Sequence, residues 1–116
     1  MSDWLVRAAG IAAIVITLVH GYLGEAKIFA KAQIEPPWVR RILHAVYHCG
    51  STLAWLVMGV LLILVPTMEP QARRAIIIAS VIVYAAAAMG NAWASRGRHY
   101  GWALMTLVVG LAVAGL

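Results

Sequence analysis

The chain has 116 residues, of which 64% are hydrophobic and only 11% are charged, and its formal net charge is +5. A soluble domain carries about 25% charged residues, and small domains bury the smallest fraction of their surface. This composition therefore excludes an ordinary water-soluble fold. No polar region is long enough to form a second domain, so we expect a single integral membrane domain over residues 1–116.

Four apolar segments follow one another along the chain, approximately over residues 4–32, 38–65, 75–93 and 100–116. A membrane-spanning helix needs roughly 17–25 mostly apolar residues. Tandem prolines at 36 and 37 break the helical pattern after the first segment, and polar turns at 67–74 and 95–99 follow the second and third. Backbone groups in lipid must bond internally, which favours helices. The predicted fold is an all-α membrane protein, an antiparallel up-down bundle of four transmembrane helices.

Positive charge indicates which loops face the cytoplasm. The first and third loops lie on the same side and carry six basic residues: Lys27, Lys31, Arg40, Arg41, Arg96 and Arg98. The opposite side carries three: Arg7, Arg73 and Arg74. The positive-inside rule then predicts that the first and third loops are cytoplasmic and that both termini lie outside. These basic residues flank apolar segments, which favours anionic membrane lipids as partners and excludes a nucleic-acid interface.

Small residues spaced four apart are typical of close helix contacts in membranes. Ala9/Ala13, Ala86/Gly90 and Gly110/Ala114 are such pairs. They are consistent with contacts inside the bundle or with contacts in a homo-oligomer, and the sequence leaves both open.

Four ionisable residues, His20, Glu25, His44 and His48, lie in or beside the first two apolar segments. Ionisable groups in a membrane are costly and mark functional sites. In an antiparallel hairpin that turns near residues 34–35, His20 lies at the height of His48, and Glu25 at the height of His44. Glu25 is about 140° from His20 around an ideal helix. The favoured trio is therefore His20, His44 and His48, with Glu25 joining only if the first helix is distorted near Gly21 and Gly24.

His44 and His48 are four residues apart and share one face of a helix, an arrangement that holds one metal ion in metalloproteases. A third ligand from the first helix, His20 or Glu25, would complete an open site. Imidazole and carboxylate ligands suit Zn, Fe, Cu, Mn or Ni. Haem ranks lower, because helices in a tight hairpin lie only about 8–10 Å apart and leave little room for a porphyrin.

Other polar residues on the same side are candidates for lining the pocket or relaying protons: Tyr47, Ser51, Asn91 and His99. Histidine and carboxylate chains carry protons in transporters, so a proton-coupled carrier or channel for a small solute, acting as an oligomer, is one alternative. A haem-binding or accessory subunit of a membrane complex is another. The sequence has no Ser/His/Asp arrangement, nucleotide-binding loop or cysteine nucleophile, and it supports no claim that the protein is an enzyme.

Three patches resemble a set of small four-span proteins of proteobacterial inner membranes. These patches are His20-Gly-Tyr-Leu-Gly-Glu25, Tyr47-His48, and Arg96-Gly-Arg-His99-Tyr-Gly-Trp102. The resemblance implies a four-span fold in the bacterial inner membrane, and it implies no reaction. With the orientation predicted from the basic residues, both termini are then periplasmic. His20, Glu25 and His48 lie within these patches, whereas His44 lies outside them.

Overall fold

A computed structural model describes residues 2–116, and its secondary structure is helical throughout. The helices are α1 (Asp3–Phe29), α2 (Pro37–Thr67), α3 (Pro70–Ser95) and α4 (Gly101–Ala114). Residues 2–116 contain no β-strand. The predicted helical bundle is therefore confirmed.

Three of the helices, α1, α2 and α3, are long and apolar enough to cross a membrane. α4 has 14 residues, fewer than the roughly 17 that a span needs. The fourth predicted segment is thus helical and apolar but short.

The ends of the helices are set by proline and by one left-handed turn. Pro37 and Pro70 occupy the first turns of α2 and α3, where a missing N–H costs nothing. α3 ends where Arg96 and Gly97 adopt positive φ, 52° and 74°. α3 begins five residues earlier than the apolar segment that starts at residue 75, because the first turn of a helix does not require apolar side chains. α1 ends at Phe29, three residues before the predicted boundary.

α1 and α2 run antiparallel and pack closely. Gly10 of α1 meets Gly59 of α2, where a Cβ added to Gly10 would lie 2.6 Å from the Gly59 carbonyl oxygen. Ala9 and Ala13 are buried in the same region. Small side chains here let the two backbones touch.

α3 also runs antiparallel to α2. The Tyr84 hydroxyl donates to the Trp55 carbonyl oxygen at 2.8 Å, and the Ser80 hydroxyl lies 3.6 Å from the Met58 sulfur. Tyr84 is fully buried, as are Ile77 and Leu62. α4 packs on α3 and α1, with Gly115 against Val6. The core therefore runs along the centre of the bundle.

Two segments of π-helix interrupt the regular helices, Gly24–Phe29 in α1 and Val46–Leu53 in α2. In the first, the Ala30 N–H donates to the Glu25 carbonyl oxygen five residues earlier, at 3.0 Å. π-helical turns are rare and are found frequently at functional sites. Here the two segments face each other at the end of the bundle nearest the α1–α2 turn.

Candidate metal centre

Glu25, His44 and His48 form one cluster between the two π-helical segments. The Glu25 Oε1 atom lies 2.5 Å from the Nε2 atom of His44 and 2.5 Å from the Nε2 atom of His48. One ligand atom from each residue lies within 4.8 Å of the others. Two ligand atoms on one zinc ion are about 3.4 Å apart when each bond is about 2.1 Å long in tetrahedral geometry. The two 2.5 Å contacts are hydrogen bonds, so the Glu25 oxygen and the histidine nitrogens would have to move apart by about 0.9 Å to hold a zinc ion between them. The cluster thus has the donor types of a metal-ion site, with its ligand atoms close enough together to share one ion.

Glu25 reaches the cluster from the start of a π-helical turn. In a regular helix Glu25 would lie about 140° from His20. The turn Gly24–Phe29 begins one residue before Glu25, so the helix departs from regular geometry where it carries this side chain. Glu25 meets His44 across the hairpin, as their equal distance from the turn predicts. The sequence analysis requires a distortion of α1 near Gly21 and Gly24 for Glu25 to join the site, and the structure has a π-helical turn that begins at Gly24.

His20 does not join this cluster, contrary to the expected trio of histidines. Its ring stacks on the Tyr47 ring, with centroids 4.2 Å apart and planes within 10°. Its Nδ1 atom lies 3.1 Å from the Tyr47 hydroxyl, and its Nε2 atom lies 3.0 Å from the Ser51 hydroxyl. Both ring nitrogens of His20 therefore face hydroxyl groups, those of Tyr47 and Ser51, one layer further into the bundle.

Gly24 makes the contact between α1 and Tyr47 possible. A Cβ atom added to Gly24 would lie only 2.2 Å from the Tyr47 Cε1 atom. The Tyr47 hydroxyl passes this position and donates to the His20 carbonyl oxygen at 2.8 Å. The close approach of the ring fixes α2 against the start of the π-helical turn that carries Glu25.

Thr52 supports His48 from the side opposite Glu25. The Thr52 hydroxyl lies 3.4 Å from the His48 Nδ1 atom and donates to the Tyr47 carbonyl oxygen at 3.2 Å. A ligating histidine usually has a hydrogen-bond partner on its other ring nitrogen, which sets its tautomer and orientation. Thr52 is five residues after Tyr47, so the hydrogen bond from its hydroxyl to the Tyr47 carbonyl oxygen depends on the π-helical segment of α2.

Phe29 and Arg40 support His44. The buried Phe29 ring lies against the His44 ring, with centroids 4.4 Å apart. The Arg40 guanidinium lies 5.8 Å from the centroid of the Phe29 ring and donates to the Phe29 carbonyl oxygen. This hydrogen bond closes the carboxyl end of α1, where helix carbonyls lack partners. Neither residue was predicted from the sequence, because an aromatic and a basic residue near a loop carry no specific signal.

Asn91 lies near the end of α3, and His99 lies in the turn between α3 and α4. The Asn91 Nδ2 atom lies 3.4 Å from the His99 Nδ1 atom. The Trp102 N–H donates to Asn91 Oδ1 at 3.1 Å, and the Gly101 N–H donates to His99 Nδ1 at 3.0 Å. Within residues 2–116, these two side chains therefore accept hydrogen bonds from free N–H groups in the first turn of α4.

The cluster is open to its surroundings. The Glu25 side chain is 54% exposed, that of His44 is 42% exposed and that of His48 is 32% exposed. On one flank lies an apolar groove of about 450 Å³. Phe29 and Tyr47 line this groove and also contact the histidine rings. An ion therefore has direct access to the ligand atoms, and positions not taken by the protein stay open.

No family model, curated protein or solved structure matches this chain. The arguments on function therefore depend on the geometry described above.

Proposed function

We propose that this protein is an integral membrane protein that binds a transition-metal ion through Glu25, His44 and His48. The observation that carries the proposal is the single carboxylate oxygen 2.5 Å from two imidazole nitrogens, all three residues being brought together from two helices. Two π-helical segments and the partners Thr52 and Phe29 hold these ligands in place.

The donor set consists of two neutral imidazoles and one carboxylate. This set suits Zn, Fe, Cu, Mn or Ni, and it leaves at least one coordination position for water or a substrate. His44 and His48 lie four residues apart on one face of α2 and so cannot stand on opposite faces of a porphyrin, which favours an ion over haem. His20, in the next layer, then acts through Tyr47 and Ser51 and not as a ligand.

The surface of the bundle supports the membrane assignment. Large apolar side chains are exposed along every helix, among them Ile11, Leu18, Val57, Ile82 and Leu107. Such a surface is stable in lipid and not in water. We place the protein in the bacterial inner membrane, in agreement with the resemblance noted above, with both termini periplasmic. The metal centre then lies near the cytoplasmic face, beside Arg40 and the other basic residues of the first loop.

Metal analysis of protein purified in detergent tests the proposal. We expect about one ion per chain in the wild-type protein and close to none in His44→Ala, His48→Ala and Glu25→Gln, because an open site with three protein ligands does not survive the loss of one. His99→Ala, which removes a histidine from the α3–α4 turn, is the matched control and should keep its ion. His20→Ala should keep it as well.

Two results would contradict the proposal. Near-zero metal in the wild-type protein, after growth and purification without chelators and after incubation with each of the five metals, would reduce the cluster to a hydrogen-bonded link between α1 and α2. Equal metal content in the wild-type protein and in all three ligand variants would place the ion elsewhere.

A second candidate function, a proton-coupled carrier acting as an oligomer, is supported by the hydrogen bonds around His20. Imidazole, phenol and hydroxyl groups, in His20, Tyr47 and Ser51, lie in contact one layer deeper than the metal ligands. Such groups can hold and release protons during transport. Proteoliposomes with an internal pH indicator should then show proton movement only when a zinc gradient is imposed, and His20→Ala should abolish it. Equal proton movement in liposomes with and without the protein would exclude zinc–proton coupling.

A further inference from the structure

The apolar groove beside the metal centre is open to the outside of the bundle. It follows one face of α2, where Leu43, Val46 and Gly50 lie three or four residues apart. Ile28 and Ile34 border it from the side of α1 and of the turn that follows α1. The large side chains Ile28, Leu43 and Val46 are exposed. A continuous apolar surface of this kind is typical of a binding site for an apolar partner.

The two hydroxyl groups on the groove are already engaged within the chain. The Tyr47 hydroxyl donates to the His20 carbonyl oxygen at 2.8 Å, and the Ser51 hydroxyl donates to the Tyr47 carbonyl oxygen. A hydroxyl group has a single hydrogen to donate, so neither side chain has a donor left for a polar ligand. The walls of the groove therefore fit a hydrocarbon chain better than a hydrogen-bonding molecule.

Gly50 leaves space in the groove that the chain itself does not fill. A Cβ atom added to Gly50 would make only an ordinary contact, 3.6 Å from the Val46 Cγ1 atom. At Gly10 and Gly24, by contrast, an added Cβ atom would lie 2.6 Å and 2.2 Å from atoms of α2. Contacts within residues 2–116 thus account for Gly10 and Gly24 but not for Gly50. The space beside Gly50 is open to an occupant from outside the chain.

The end of the groove nearest the α1–α2 turn is basic. Lys31 lies between two residues that line the groove, and Arg40 lies one turn before the first lining residue of α2. Arg40 donates to the Phe29 carbonyl oxygen, whereas none of the ion pairs within residues 2–116 involves the exposed Lys31. Residues 30–41 contain three basic residues and one acidic residue, Glu35. An anionic group is therefore favoured at this end, next to the Lys31 ammonium.

We propose that the groove binds one acyl chain of an anionic phospholipid, whose headgroup lies beside Lys31. The bilayer supplies acyl chains at the depth of Val46 and Gly50 and anionic phosphate at the depth of the turn. A second copy of the chain, packed symmetrically on this face, would bring the basic residues of both first loops together, and like charges oppose this arrangement. The proposal rests on the membrane assignment made above and does not depend on the metal centre.

Thermal unfolding in detergent micelles tests the site with two probes that carry the same acyl chains, phosphatidylglycerol and the zwitterionic phosphatidylcholine. We expect phosphatidylglycerol to raise the unfolding temperature in a saturable way and phosphatidylcholine to bind more weakly. Lys31→Gln should bind phosphatidylglycerol roughly fivefold more weakly, the factor that one basic residue contributes near an anionic surface. Gly50→Leu should weaken binding roughly tenfold, because the added side chain occupies the space of the acyl chain.

Each variant has a matched control. Arg98→Gln removes one positive charge from the exposed α3–α4 turn, on the same side of the membrane as Lys31. Gly90→Leu adds the same side chain at a position where a Cβ atom meets nothing within 4 Å. Both controls should bind phosphatidylglycerol as the wild-type protein does. Metal content is measured on the same samples, and lipid binding by protein without metal would leave this proposal standing while the metal centre fails.

Several results would overturn the lipid site. These are no saturable stabilisation by either lipid, equal affinity for the two lipids, and equal behaviour of Gly50→Leu and Gly90→Leu. A wild-type dimer that Gly50→Leu dissociates, with no effect of lipid, would assign the groove to a second copy of the chain and would overturn the proposal as well. If Gly50→Leu does not fold, Lys31→Gln decides, because an affinity equal to that of the wild-type protein contradicts the proposal.

Discussion

At the residue scale, Glu25 Oε1 is the atom on which the candidate metal centre depends. This atom lies 2.5 Å from the Nε2 atom of each of two histidines. Each imidazole also has a second contact, His48 with the Thr52 hydroxyl and His44 with the Phe29 ring. Partners of this kind orient the ligands and tune the affinity for the metal. The hydroxyl of Thr52 can therefore be tested separately from the ligands.

Thr52→Val removes the hydroxyl next to His48 Nδ1 and keeps the shape of the side chain. We expect the metal affinity to fall by roughly 10- to 100-fold, because the ligand loses its orienting partner. Competition with a chromophoric chelator measures this affinity. Thr106→Val is the matched control, since the Thr106 hydroxyl donates only to the Trp102 carbonyl oxygen of its own helix. An affinity unchanged in Thr52→Val would show that the contact does not support the site.

Acidification is expected to release the ion. The carboxylate and both imidazoles bind metal only in their deprotonated forms, so protons compete with the ion. Metal occupancy should therefore be lower at acidic pH than at neutral pH. Equilibrium dialysis at a series of pH values measures the occupancy. Full occupancy at the acidic end would speak against histidine ligands.

At the scale of the elements, the π-helical turns determine which side chains meet. Glu25 lies at the start of the π-helical turn of α1, and the bond from the Thr52 hydroxyl to the Tyr47 carbonyl oxygen, five residues earlier, lies within the π-helical segment of α2. Gly24 lies at the start of the first turn and leaves the space that the Tyr47 ring occupies. The metal centre thus depends on two local distortions and on one position without a side chain.

Gly24→Ala tests this dependence. The added methyl group would overlap the Tyr47 ring, and overpacking of this kind costs about 1–3 kcal/mol of unfolding free energy. We expect lower thermal stability together with loss of bound metal. Gly90→Ala is the control, because a Cβ atom at Gly90 meets nothing within 4 Å, and it should be neutral or stabilising. Equal behaviour of the two variants would contradict the role of Gly24.

At the scale of the whole molecule, polar residues are paired at both ends of the bundle. The metal centre adjoins the α1–α2 turn, and Arg73 pairs with Asp3 at the other end. Of the small-residue pairs, Ala9/Ala13 is buried inside the chain, whereas Ala86/Gly90 and Gly110/Ala114 are exposed. The exposed pairs remain available for contacts with lipid or with another copy.

The proposed orientation can be tested with a membrane-impermeant maleimide on intact cells. In a Cys49→Ser background, Gln71→Cys in the first turn of α3 should be labelled from outside. Gln33→Cys, between α1 and α2, and Arg98→Cys, between α3 and α4, should react only after the membrane is permeabilised. The reverse pattern would place the metal centre at the periplasmic face.

The sequence by itself determined the helical bundle and most of the helix boundaries. An apolar composition with proline and polar turns between the segments permits little else, because backbone groups in lipid must bond within a helix. The pairing of Glu25 with His44 was also predictable, since it follows from equal distances to the hairpin turn. The sequence predicts a turn over residues 70–74, whereas the structure has the first turn of α3 there. Hydropathy alone does not reveal a polar first turn of a helix.

Only the tertiary structure decided which histidines meet Glu25. The prediction of a His20, His44 and His48 trio assumed regular helices, in which side-chain direction advances by about 100° per residue. The π-helical turns change this angle per residue. They occur where α1 and α2 make hydrogen bonds to each other and where the Tyr47 ring closely approaches Gly24. These contacts join residues far apart in the chain, so no local pattern contains them. His20 consequently bonds to Tyr47 and Ser51, and Glu25 takes its place in the cluster.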